Sequence, residues 1–154
     1  MDDSARSRLY GVAQTVLLFA YAAVGLFASG PLLFQVPGVA QAGGVLCILA
    51  LAIIAAAFFS LRNVIQIDPE PKSGGYLVTS GIYRRLRHPI YTGIIVAVVG
   101  LFLRKPTLAL ALGGAVVIIF LLLKTRLEER LLSARYPEYS RYRQSTWGVI
   151  PGMP

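Results

Sequence analysis

Apolar positions in this chain come in long blocks, and the polar ones are gathered between them. From Arg8 to Arg62 there is no Asp, Glu, Lys, Arg or His. That interval holds two apolar runs, residues 9–28 and 39–61, each close to the roughly 20 residues that carry a helix across a bilayer core. Between them, Ser29-Gly30-Pro31 and Val36-Pro37-Gly38 provide the residues of a turn. Two shorter runs, 90–103 and 108–123, flank Arg104-Lys105-Pro106, and each would span roughly 20–25 Å as helix. The pattern predicts an all-α integral membrane protein with about four transmembrane helices, the last two forming a hairpin.

The polar residues fall in a loop, 62–89, and a tail, 124–154. In the tail, Leu127, Leu131 and Leu132 recur at helical spacing, so helix four is expected to continue beyond the membrane as a cytoplasmic, C-terminal amphipathic helix. Pro137 interrupts it, and Trp147-Gly-Val-Ile-Pro151 is apolar enough to dock back. In the loop, Pro69 and Pro71 stiffen the start, while Gly74-Gly75 and Gly81 permit tight turns and close backbone approach. Ser80-Gly81 is placed to begin a short helix through residues 83–86. Pro89 then opens helix three, leaving Arg87 and His88 at its positive dipole end, where an anion can bind. The organisation expected is one membrane domain, 1–154, in which two helices (9–61) precede a loop–hairpin–tail core (62–154).

Composition agrees. Of 154 residues, 56% are hydrophobic and 14% charged, against about a quarter charged in a soluble domain. The net charge of +8 is a matter of placement: thirteen of fifteen basic residues precede helix one, lie between helices two and three, or follow helix four. Only Arg104 and Lys105 fall opposite. That is the positive-inside pattern, which puts both termini and any site built from loop and tail in the cytoplasm, and sets the basic excess against membrane lipids rather than nucleic acid. The first run is too long for a signal-peptide core. Cys47, inside the second run, offers no disulfide, and His88 as the only histidine makes no metal site.

Taken singly, the polar residues have plain readings. His88 suits a hydrogen-bonded interfacial residue, Arg84, Arg85 and Arg87 a headgroup cluster, and Glu128-Glu129 a charge-balanced helix face. Tyr83, Tyr91, Tyr136, Tyr139 and Tyr142 suit an aromatic belt. Their concentration in the same two segments suggests more. Carboxylates and aromatic faces stabilise a cation, arginine or a helix start holds a carboxylate, and glycine-bordered backbone can contact a base. S-adenosylmethionine has all three parts.

The run L-V-T-S-G-I-Y-R-R-L-R-H-P-I-Y-T-G (77–93), then a hydrophobic hairpin, then E-E-R-L-L-S-A-R-Y-P-E-Y-S-R-Y (128–142) and a final I-P, resembles the isoprenylcysteine carboxyl methyltransferase family. It is also similar to the related phospholipid N-methyltransferases. The likeness covers about residues 75–151. It implies a membrane methyltransferase of the small bacterial and archaeal type, in the inner membrane, using S-adenosylmethionine. It also implies cofactor contacts from Gly75, Tyr76, Leu77 and Val78, largely through backbone, and from Tyr83, His88, Pro89, Ile90, Tyr91 and Glu128 or Glu129. Arg87 joins this set from its place at the helix start. The basic residue that holds a substrate carboxylate would be Lys124, with Arg126 nearby. Eukaryotic members favour Arg there and have more membrane helices, so the family name does not fix the substrate.

The expected reaction is methyl transfer to a lipophilic acceptor entering from the bilayer, a carboxylate or a lipid headgroup. A carboxylate needs no general base, so alignment and desolvation would supply the catalysis. Lys124 or Arg126 would orient it, whereas an amine acceptor would need a base such as Glu129 or His88. The alternatives are an NADPH-dependent membrane reductase of the steroid 5-alpha-reductase type, with a similar Arg-His-Pro region, and a non-catalytic membrane scaffold.

Overall fold

A computed structural model describes residues 3–27, 29–65 and 77–152, with side chains described for 8–27, 29–61 and 77–152. Among these residues the chain is helical, with two isolated bridges and no regular strand. The order is α1 (Asp3–Phe27), α2 (Val39–Ile65), a short 3-10 helix (Gly81–Arg84), α3 (Pro89–Arg104), α4 (Leu108–Arg135) and α5 (Tyr139–Ser145). The expected four long elements are all present. Pro69, Pro71, Gly74, Gly75 and Tyr76 lie outside the described residues.

Local chemistry sets the ends. Gly38, at φ +84°, accepts from the Ala42 amide at 2.9 Å and opens α2. Pro89 occupies the first position of α3, where its missing N–H costs nothing. The Thr107 hydroxyl accepts from the Leu110 amide at 3.4 Å at the head of α4. Helix α4 runs unbroken for 28 residues, so its apolar stretch and the charged turns after Leu123 are one rod, and Pro137 lies just past its end.

Three helices are long and apolar enough to cross a membrane: Arg8–Phe27, Val39–Leu61 and Leu108–Arg135. Helix α3 is equally apolar but has 16 residues. Large hydrophobic side chains face outward along these rods, among them Phe19 and Phe27 on α1, Phe58 and Phe59 on α2, and Leu112 and Ile119 on α4. In water that surface would aggregate; it belongs in lipid, and the protein is an integral membrane protein.

The chain divides into two compact units, and the division falls inside α2, α3 and α4. The first unit comprises Met1–Ile48 and Ile95–Lys124. Its core holds Tyr21, which donates to the Val98 carbonyl at 3.1 Å, and whose ring fits over Gly113 and Gly114. The α1–α2 connection is tied to the α3–α4 turn by the Leu33 amide on the Pro106 carbonyl at 2.7 Å. The second unit comprises Leu49–Ile94 and Thr125–Pro154 and holds the clustered polar side chains.

Within each unit α2 meets α3 through small residues. A Cβ on Gly43 would lie 2.6 Å from the Gly100 carbonyl oxygen, and one on Gly100 would lie 2.8 Å from Cys47 Sγ. In the second unit, a Cβ on Gly93 would lie 2.5 Å from Ile54 Cγ1. Small residues let backbones approach, which is how helices gain packing where lipid offers no hydrophobic driving force. Gly100→Val is therefore expected to cost about 1–3 kcal/mol by overpacking. Gly11→Ala, where nothing lies within 4 Å, is expected to be neutral or stabilising. Thermal unfolding in detergent reads both, and a Gly100→Val midpoint equal to wild type would refute the tight contact.

Candidate functional site

The carboxyl-terminal tail returns to the start of α3 and is stitched there. Leu86 and Trp147 form a parallel bridge, with the Arg87 amide on the Trp147 carbonyl and the Trp147 amide on the Arg85 carbonyl, both at 2.9 Å. Further along, the Thr92 hydroxyl donates to the Val149 carbonyl at 2.5 Å. The apolar tail thus docks on the protein itself.

This clasp buries Arg87, whose side chain is 2% exposed. Its Nε donates to Glu129 Oε1 at 2.8 Å, and its Nη1 donates to the carbonyls of Arg143 at 2.9 Å and Thr146 at 2.5 Å. A buried guanidinium is tolerated only when its charge and its donors are both met. Here α4 supplies the countercharge, and the turn leaving α5 supplies the carbonyls.

The two consecutive acids do different things. Glu129 takes Arg87, lies 3.5 Å from His88 Nε2 and 3.5 Å from Arg143 Nε, and is an anion held between two guanidinium groups. Glu128, one residue earlier and about 100° around the helix, accepts from the Tyr91 hydroxyl at 2.7 Å, with His88 Nδ1 at 3.7 Å. Its side chain is 33% exposed against 12% for Glu129, so Glu128 is the acid that a ligand can reach. His88 lies flat beside Tyr91, centroids 5.6 Å apart and planes 2° from parallel.

Two adjoining cavities open here. One, of about 220 Å³, is lined by Leu61, Leu77, Val78, Tyr83, Arg87, Leu132, Tyr136, Tyr139 and Tyr142. The other, of about 230 Å³, is lined by Tyr83, Arg87, His88, Ile90, Tyr91, Glu128 and Leu132. Tyr83, Arg87 and Leu132 border both. Together they reach the size of a small-molecule site, roughly 300–1,000 Å³. Both are walled more by apolar than by polar surface; the first is mainly aromatic and aliphatic, and the second, which adds His88 and Glu128, is the more polar of the two. The Tyr142 hydroxyl donates to the Tyr83 carbonyl at 2.6 Å, and burial pushes its pKa up to about 12. Burial raises Tyr83 and Tyr139 as well, so these phenols stay neutral donors at physiological pH. Gly81, at φ +60°, lets the 3-10 helix sit against Ser60, whose hydroxyl accepts from the Ile82 amide at 3.3 Å.

Of the expected cofactor residues, Leu77, Val78, Tyr83, Arg87, His88, Ile90, Tyr91 and Glu128 line one or both cavities. Pro89 is fully buried behind them, and Gly75 and Tyr76 lie outside the described residues. Glu129 sits in the ion cluster, and Arg126 is exposed on α4. Lys124 belongs to the first unit, where its Nζ donates to Gln14 Oε1 at 2.5 Å. The sequence did not mark Thr92, Leu132, Arg143 or Thr146 as site residues. Leu132 was within reach, since it follows Glu128 by one helical turn and shares its face. Thr146 acts mainly through its backbone carbonyl, which has no side-chain signature.

Residues 39–139, more than half of the chain, match the phospholipid methyltransferase family. Among curated protein sequences, none matches. Among solved structures, the fold is similar to that of a eukaryotic intramembrane Ras methyltransferase, isoprenylcysteine carboxyl methyltransferase. The identity is 22% and the TM-score 0.59, over 99% of this chain and 55% of that one. The chain thus spans about half the length of that enzyme, and the likeness is one of fold. The family match favours methyl transfer over the reductase alternative, and the protein with this buried Arg87–Glu129 cluster and paired cavities belongs to the phospholipid methyltransferase family.

Proposed function

We propose that the second unit binds S-adenosylmethionine and that the protein transfers its methyl group to a lipophilic acceptor. The observation that carries this reading is the pairing of two cavities around Arg87, one walled mainly by tyrosines and aliphatic side chains and the other bearing the reachable carboxylate of Glu128. The donor set fits the cofactor: an anion and a stacked His88–Tyr91 pair for a cationic centre, and an aromatic cavity for a planar base.

When bound, the cofactor supplies an electrophilic methyl group for direct displacement. Glu128 would lie by the positive centre, held in place by the Tyr91 hydroxyl. Arg87 is spent on Glu129 and two carbonyls, so it shapes the site rather than moving a proton. Glu129, held between the guanidinium groups of Arg87 and Arg143, is a poor base, so an amine acceptor would depend on His88, whereas a carboxylate acceptor, already ionised, would need no base. Arg126, two residues before Glu128 on α4, is proposed to orient that carboxylate. The acceptor would arrive from the bilayer. We read all four long helices as crossing the membrane, α3 with only about 24 Å of helix, and the charged half of α4 with α5 as cytoplasmic.

Glu128→Gln keeps the shape and removes the charge. It is expected to weaken S-adenosylmethionine about tenfold, roughly 1.4 kcal/mol, and S-adenosylhomocysteine, whose sulfur is neutral, much less. Calorimetric titration of the purified protein tests this, and equal losses for the two compounds would remove Glu128 from the positive centre. Arg87→Ala strands Glu129 and is expected to lower stability by about 3–5 kcal/mol and abolish binding, with Arg87→Lys restoring only part. Thermal unfolding with and without S-adenosylhomocysteine reads both, and wild-type stability in Arg87→Ala would refute the keystone role. For topology, single cysteines at Gly30→Cys and Ser140→Cys in a Cys47→Ala background separate the faces. An impermeant maleimide on intact cells should label the first and spare the second; the reverse would invert the protein.

A further inference from the structure

Among the described residues, two buried side-chain polar atoms have no hydrogen-bond partner: His88 Nε2 and the Tyr139 hydroxyl. They are 51 positions apart in sequence, yet His88 lines the polar cavity and Tyr139 the adjoining aromatic one. His88 Nε2 at least has Glu129 Oε1 at 3.5 Å for electrostatic company. Tyr139 is 1% exposed, with its ring edge-on to Tyr142 at 5.9 Å. A buried hydroxyl left unmet costs about 1–3 kcal/mol, and folded proteins keep few of them. Tyr139 borders the aromatic cavity with its oxygen closed to water, so a ligand whose acceptor shifts that wall gains a donor with no bond to give up.

The neighbours say which part of a ligand brings that acceptor. The polar cavity contains Glu128 and His88 and suits the charged end. The aromatic cavity offers Leu77, Val78 and the tyrosines, which suit a flat base. Within it, the Tyr142 hydroxyl is committed to the Tyr83 carbonyl, and Arg87 to Glu129 and the tail. We infer that the Tyr139 hydroxyl reads the nucleoside end of the cofactor, donating a hydrogen bond to an acceptor on its base or ribose, and so sets selectivity for that end. This rests on the reading that the unit binds S-adenosylmethionine.

The test compares Tyr139→Phe with wild type in the purified full chain, by calorimetry with two unreactive probes. S-adenosylhomocysteine carries both ends, and 5′-methylthioadenosine carries the nucleoside without the amino acid. Tyr139→Phe is expected to weaken both by the same factor, roughly three- to tenfold. Its ligand-free thermal midpoint should be unchanged or raised, since the group removed has no partner to lose. Tyr142→Phe, which leaves the Tyr83 carbonyl unmet, should instead lower that midpoint. The inference is overturned if Tyr139→Phe binds both probes like wild type, as it would were a water the hydroxyl's partner. It is overturned equally if only S-adenosylhomocysteine is weakened, or if the ligand-free midpoint falls as far as in Tyr142→Phe. If wild type takes neither probe, the cofactor reading falls too; wild-type binding that ignores Tyr139→Phe sinks the Tyr139 assignment alone.

Discussion

The second unit is organised by one requirement: the charge of Arg87 must be met inside the protein. Its side chain is 2% exposed, so water contributes almost nothing. Removing a guanidinium from water costs several kcal/mol even after relaxation, and only good geometry with every donor used offsets it. Glu129 on α4 provides the countercharge, and the Arg143 and Thr146 carbonyls provide acceptors. Three separate stretches of chain are therefore held around one side chain. The bridge between Leu86 and Trp147 and the Thr92 bond to Val149 then read as supports that keep the tail where those carbonyls are needed.

The same constraint separates the roles of the acids. Consecutive helical residues point about 100° apart, so one position of sequence turns a carboxylate from the buried guanidinium toward a cavity. Glu129 is consumed by Arg87, His88 and Arg143, and Glu128 is carried out to the polar cavity beside Tyr91. His88 stands between, with one ring nitrogen nearest each acid. A pair that would repel in isolation becomes one structural anion and one reachable anion. Lengthening the helix between them by a residue would exchange or destroy those roles.

Much of this was legible in the residues. Uninterrupted apolar runs placed the long helices, because a lipid-facing rod has to be apolar along its length. Pro89 and Pro137 marked real helix boundaries, and the 3-10 helix began after Ser80 as suggested but ended at Arg84 rather than reaching Leu86. The gathering of His88, Tyr91 and Glu128 around one cavity followed from two dense polar segments in an otherwise apolar chain. Other features were not legible, for physical reasons. The carbonyls of Arg143 and Thr146 are backbone groups that any residue could supply. The division of labour between Glu128 and Glu129 depends on helix phase, which Glu-Glu does not reveal. Lys124, one turn before the acids, gave no sign that its ammonium would bond Gln14 of α1.

The position of these partners also bears on when the site can exist. Arg87 waits on Glu129, 42 residues later, and on Thr146, 59 residues later. Closing loops of that length costs entropy before any contact returns it. Until the tail arrives, a positive charge sits at the head of α3, where the positive helix dipole opposes it. Glu129 and the two carbonyls are the groups that meet that charge. The tail and α4 thus complete the cluster together. Both cavities are bordered by Arg87, so their shape depends on that closure. The tail after Pro137 is therefore a working part of the site, with Tyr139 and Tyr142 lining the aromatic cavity and the Thr146 carbonyl holding Arg87.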